Sequence, residues 1–333
     1  MTKGPRVYIK MKTPWDQPKY NTYTLFMNYF LSFFETSETD APLLKLLKLE
    51  KVPSIDVLDV SIVKELSGVS ESISENTNSE SNYKKAKIEC TQSVVDLVGV
   101  QEYNSYKKIY DCIDSLDITH EYKDILISRI QNMDSGVKQV YNLYGDKLNC
   151  IDTNCQGTPY FSPIEKGFYI DSNADVQNPL GAGSTFFHES GHMIDWLLGK
   201  DVGIDYITTM ERFTDYIQAD LDDALEQIMV KDGCTMEEAK QKLSDVLIQD
   251  PYNSSCVSDV FGGLTGNQVS GVFGHSTNYW TSRSRDSVGR EAFAEITEQI
   301  ACNTEALAFT KSMLPKTYEA YQNIITATVR GYK

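Results

Sequence analysis

Positive charge is scarce in this chain. Its 31 Lys and Arg face 47 Asp and Glu, a formal net charge of −16 at pH 7 over 333 residues. A surface that acidic is repelled by phosphate backbones and by anionic lipid, and no compact basic patch relieves it. Neither nucleic acid nor a membrane is therefore expected as a partner. Long apolar runs are missing too. The best, Tyr23 to Phe34, is interrupted by Asn28 and Ser32 and falls short of the roughly 20 residues that span a bilayer. It lies too far in, without a small-residue cleavage site, to read as a secretion signal. It reads as a buried amphipathic helix of aromatic character, and the expected location is the cytoplasm. The cysteines number seven, with no C-x-x-C pair, so reduced thiols are expected rather than a disulfide framework. No internal repeat is found, which excludes a solenoid. What remains is 41% hydrophobic and 23% charged, the composition of a globular chain long enough to bury a core without staples.

Residues 1–66 alternate aromatic-rich and Leu/Lys-rich segments and are expected to form a mostly helical N-terminal region. Residues 67–86 shift to Ser, Glu and Asn and read as a linker or long surface loop. Residues 87–333 form the remaining domain. Within it, helical spacing runs from Val94 to Ile113 and again from Ile125 to Ile130. Asp134-Ser135 can cap a third helix that ends at Gly145. Thr158–Ser162, a Pro163-Ile164-Glu165-Lys166 turn and Gly167–Asp171 read as a β-hairpin. Residues 204–250 carry a long helical pattern, then a capping box from Thr235 and Glu238, and read as a helical insertion. The Gly-rich run Phe261 to Gly274 reads as loop. Two closing helices are expected, around Arg290 to Ile300 and from Pro315. The fold class is α+β, helix-rich with a small sheet near residues 146–172.

Histidine is the rarest chemistry-bearing residue, four in all, and two of the four stand in His188-Glu189-Ser190-Gly191-His192. On a helix, i and i+4 lie on one face a turn apart, so both imidazoles can reach one metal ion. Two histidines suit Zn2+, one per chain, and leave room for a third ligand and a water. Glu189, one step round, can take a proton from that water as it attacks a carbonyl. Ser184 or Thr185 offers an N-cap to this helix and Gly199 a stop. Asp195 is a turn too far along to converge on the metal and is expected to bond a neighbouring loop instead.

The third ligand is expected to be Glu291, in Arg290-Glu291-Ala292-Phe293-Ala294-Glu295. Glu295, at i+4, could accept the free N–H of a ligand histidine, and Ala294 is small enough to let the two helices pack closely. His275 and Asp259 are the fallback ligands. Tyr279 or His275 could stabilise a tetrahedral oxyanion, and the residues alone do not choose between them. His120, remote from these motifs, reads as structural.

These segments resemble the gluzincin class of zinc metallopeptidases, and more narrowly the anthrax lethal-factor-like catalytic domain with its phage and mobile-element relatives. That group carries a hairpin, an H-E-x-G-H-x-x-D helix and a later E-x-F-A-E helix, seen here as Tyr160–Asp171, His188–Asp195 and Glu291–Glu295. Leu314–Tyr318 resembles its C-terminal helix. The resemblance covers residues 118 to 330 and implies a zincin-like fold, zinc ligands His188, His192 and Glu291, and Glu189 as base. It departs in spacing: the group's shorter members set the Glu nearer the second His, and their Tyr about two turns before the Glu, where Ser284 stands here. An edge strand, expected at Gly167–Asp171, would pair with an extended substrate. The expected activity is that of a zinc-dependent endopeptidase acting on a protein or peptide. A non-catalytic structural or interaction protein of a phage or mobile element that keeps the zinc-binding fold is the alternative. Zinc-dependent hydrolysis of a non-peptide amide is a third reading.

Overall fold

The computed structural model describes residues 93–331. The expected N-terminal helical region, the 67–86 linker, the aromatic helix at 23–34 and Cys90 lie outside the described residues.

After a helical stretch at 93–98 come α1 (Val100–Ser105), α2 (Lys107–Asp114), α3 (His120–Asn132) and α4 (Ser135–Tyr144). The sheet follows as β1 (Cys150–Asp152), β2 (Tyr160–Ser162) and β3 (Gly167–Tyr169), then the short α5 (Ser172–Asp175) and the long α6 (Ser184–Asp201). The remainder is α7 (Ile207–Met210), α8 (Phe213–Asp232), α9 (Met236–Gln249), α10 (Ser255–Thr265), α11 (Thr277–Thr281), α12 (Ser287–Cys302), α13 (Thr304–Met313) and α14 (Pro315–Arg330). This is α+β at the coarse level, helix-rich with one small sheet. Among the described residues, no helix is long and apolar enough to cross a membrane, and all six described cysteines are free.

Local signals account for many boundaries. The Val94–Ile113 pattern is broken at Gly99, at φ 85°, and at Tyr106, which leaves the helical region. Asp134 caps α4 by accepting from Gly136 and Val137 N–H. Thr235 and Glu238 form the reciprocal capping box on α9. Asp220, buried on α8, accepts from Lys316 and Thr317 N–H and so caps α14 from a distance. That bond ties the 204–250 segment to the closing helix, with α8 packed against both α12 and α14.

Two helices differ from expectation. The stretch read as loop from Phe261 begins inside α10, which runs to Thr265 and stops at Gly266 in the left-handed region. Buried Val257, Val260 and Phe261 hold it in the core, and that packing outweighs the helix-weakening of Gly262 and Gly263. The connection after Ile300, expected to run straight to Pro315, contains α13, capped by the Asn303 side chain.

Helix α6 is the centre of the core. Phe186, Phe187, Met193, Ile194 and Leu198 are buried all around it, as suits a helix covered on every side. Each fully buried phenylalanine contributes about 1.5–3 kcal/mol. Its N-cap is Gly183, not Ser184 or Thr185. The orphan N–H groups of Thr185 and Phe186 are taken at 2.9 and 3.0 Å by the carboxylate of buried Asp175, which also faces the positive end of the helix dipole. Gly199, expected as the stop, lies two residues inside the helix. A Cβ there would stand 2.6 Å from Tyr206 N, so this glycine permits the chain at 205–206 to cross closely.

Candidate metal centre

Helices α6 and α12 run antiparallel in close contact, with Gly191 against Ala294 and Gly183 against the side chain of Cys302. A Cβ at Gly191 would lie 3.0 Å from Ala294 Cα. The small residue expected on α12 thus meets a missing side chain on α6, and the two backbones approach until their side chains share one site.

At that site His188, His192 and Glu291 converge. Glu291 Oε2 lies 3.4 Å from His188 Nε2 and 3.2 Å from His192 Nε2. The fit to zinc can be tested on these distances. Three donors about 2.0–2.1 Å from a tetrahedral ion stand about 3.3 Å apart, which the two observed separations match. Glu291 Oε2 is also buried with no hydrogen-bond partner, a costly state for an anionic oxygen unless a cation satisfies it. Two imidazoles and one carboxylate are a donor set suited to zinc.

Electrostatics agree with the geometry. Burial alone would raise the Glu291 carboxyl, but the His192 and His188 imidazoles outweigh it and hold it well below the usual carboxylate range. Burial would lower His188, yet the neighbouring Glu291 and Glu298 carboxylates lift it well above its ordinary value. The cluster attracts positive charge. Glu189, almost fully buried beside them, is raised mainly by burial.

The carboxylate behind His188 is Glu298, not Glu295. Its Oε2 lies 3.2 Å from His188 Nδ1, which places the ring proton on Nδ1 and leaves Nε2 for a metal. The reason is direction. The His188 side chain leans toward the N-terminus of α6, and in the antiparallel pair that is toward the C-terminal end of α12, past Glu295. Glu295 instead turns its buried Oε2 toward the surroundings of Asp259, and burial, with the Asp259 charge, pushes it well above the usual carboxylate range.

Asp195 makes structural hydrogen bonds, though to the short helix α7 rather than to a loop, accepting from Thr208 N at 3.0 Å and Thr208 Oγ1 at 2.7 Å. Burial raises it to about 6 despite those bonds. His120, the first residue of α3, is exposed and away from the site.

His275 and Tyr279 both reach the pocket and stack on each other, ring centroids 3.7 Å apart. They do different things. The Tyr279 hydroxyl donates to Glu291 Oε1, the oxygen turned away from the histidines. His275 Nδ1 lies 2.9 Å from buried Asp259 Oδ2, which leaves Nε2 toward the pocket. Burial pulls His275 down, but the hydrogen bond and charge of Asp259 outweigh it and the imidazole is raised. Asp259, His275 and Glu291 also bring ligand atoms within 4.8 Å of one another. The ion pair between Asp259 and His275 consumes two of those three groups, whereas Nε2 of both His188 and His192 faces Glu291.

The pocket over these groups measures about 420 Å³, and Thr158, Pro159, Tyr160 and Phe161 form one wall. That wall corrects the expected substrate strand. The sheet order is β1-β3-β2, so β3, within Gly167–Asp171, is the central strand with both edges occupied. It pairs parallel with β1 and antiparallel with β2. Among the described residues, β2 pairs with β3 alone, and Phe161 seats it against Trp196 of α6, centroids 5.9 Å apart. The free edge beside the site belongs to Tyr160–Ser162. Comparison of the chain with protein-family models, curated proteins and solved structures gave no match.

Proposed function

We propose that the chain is a zinc-dependent endopeptidase of zincin-like fold. The observation that carries this reading is the convergence of His188, His192 and Glu291 at tetrahedral-edge spacing with Glu189 lining the same pocket. Bound zinc would supply a water acidified toward neutral pH and a polarised carbonyl. In the same pocket Glu189 would serve as the base, taking a proton from the attacking water and handing it to the leaving amide nitrogen. His275, oriented by Asp259, presents Nε2–H to the oxyanion, while Tyr279 fixes the Glu291 carboxylate so that Oε2 faces the histidines. An extended substrate adds to the β2 edge, where main-chain bonds hold it without reading its sequence.

The test is digestion of a proteome-derived peptide library by the full chain and by Glu189→Gln, with zinc content measured on both. Cleavage by wild type, lost in a variant that keeps its zinc, supports the reading. Zinc in both proteins and cleavage by neither would sink it and leave the non-catalytic alternative standing.

A further inference from the structure

Two arginines line the same pocket, Arg283 and Arg290. In a chain with a surplus of acids, a guanidinium normally finds a carboxylate. Arg285, two residues from Arg283, does so, with Asp215 at 2.9 Å. Among the described residues neither pocket arginine has an ion-pair partner. The Arg290 guanidinium lies over the Tyr206 ring at 4.0 Å, and that of Arg283 over the Tyr279 ring at 3.9 Å. Arg290 Nε is buried with no acceptor.

The acids that feel the Arg290 charge are committed elsewhere. Asp195 is bonded to Thr208, and Asp205 is paired with Lys200 at 2.5 Å. Stacking on an aromatic face holds a guanidinium rigid and leaves its rim of N–H donors free in the plane. A carboxylate meets that rim with two parallel bonds. A buried donor with no acceptor is a costly arrangement to keep unless something arrives to fill it.

Resting on the endopeptidase reading, we infer that Arg290, with Arg283, is a specificity determinant that selects a substrate carboxylate beside the scissile bond. That carboxylate is an Asp or Glu side chain, or the C-terminus of a short product-like peptide. Both sources present the same planar anion to the same fork.

The inference is tested with three zinc-binding peptide hydroxamates of one length: one with Asp and a C-terminal amide, one with Asn and an amide, and one with Asn and a free C-terminus. Each is titrated calorimetrically into the zinc-loaded full chain, Arg290→Gln and Arg283→Gln. The expected result is that one of the two carboxylate-bearing probes binds wild type at least about tenfold tighter than the neutral probe. That advantage should be lost in Arg290→Gln and reduced in Arg283→Gln, whose exposed position spares the fold. The Asp-amide and free-terminus arms identify the source. Equal binding of all three probes to wild type, or an advantage that survives both substitutions, overturns the inference and leaves the metal centre intact. A chain that takes up no zinc and binds no hydroxamate overturns the endopeptidase reading, and the inference with it.

Discussion

Asp195 offers a quantitative check on how α6 is held. Its carboxyl is fully buried and raised from 3.8 to about 6, chiefly by burial. A carboxyl whose folded value lies above its unfolded value binds its proton more tightly in the native state. Its contribution to stability is full below the unfolded value and is lost as pH rises through the folded one. At about 1.4 kcal/mol per pH unit, the whole swing is about 3 kcal/mol, and roughly 2 kcal/mol of it falls between about pH 4.5 and about pH 7.5. Asp195→Asn keeps the shape and removes the charge, so the change in its Thr208 bonds cancels between the two pH values. The assay is urea unfolding of both proteins at each pH, followed by tryptophan fluorescence with chelator present so that metal loss does not enter. Wild type should lose about 2 kcal/mol relative to the variant on going from acid to neutral. A difference that does not change with pH would show that the two Thr208 bonds carry the anion without penalty, and the reasoning would fail.

Three further outcomes follow from the same contacts. Gly191→Ala gains about 1 kcal/mol of helix propensity, but its Cβ meets the α12 backbone, and overpacking costs about 1–3 kcal/mol. A net loss of stability with weaker zinc binding is expected in thermal unfolding and chelator competition, and a stabilised variant of unchanged zinc affinity would refute the close-packing argument. Glu298→Gln should weaken zinc binding roughly 10- to 100-fold, as loss of a carboxylate behind a ligand histidine does, whereas Glu295→Gln should leave it nearly unchanged; chelator competition ranks the two. His275→Gln should lower kcat/KM by roughly 10²–10³-fold with zinc retained, measured on any peptide the library digest yields.

The part of the site that was legible in the sequence is the part that is local. His188 and His192 stand a turn apart on one helix with Glu189 one step round, and no tertiary knowledge is needed to see that the two histidines share a face. Glu291 required only the guess that a second helix supplies an acid. What depended on how helices meet was not legible. Choosing Glu298 over Glu295 requires knowing that α6 and α12 run antiparallel. The Asp175 cap of α6 acts across about ten residues, outside any local capping signal, and Asp220 caps α14 from nearly a hundred residues away. The central position of β3 follows from its pairing with β1, three residues long and joined through a shifted register, too short a strand to leave a periodic trace. The division between Tyr279 and His275 was equally hidden, because it rests on Asp259, sixteen residues before His275. The pocket arginines belong to no motif; they become notable only when Asp195 and Asp205 are seen to be engaged elsewhere.

The most direct test of the metal centre is elemental mass spectrometry on purified wild type and Glu291→Ala. About one zinc per wild-type chain, sharply reduced in the variant, is the expected result. Zinc absent from both after reconstitution, or held equally by both, would contradict a centre built from His188, His192 and Glu291.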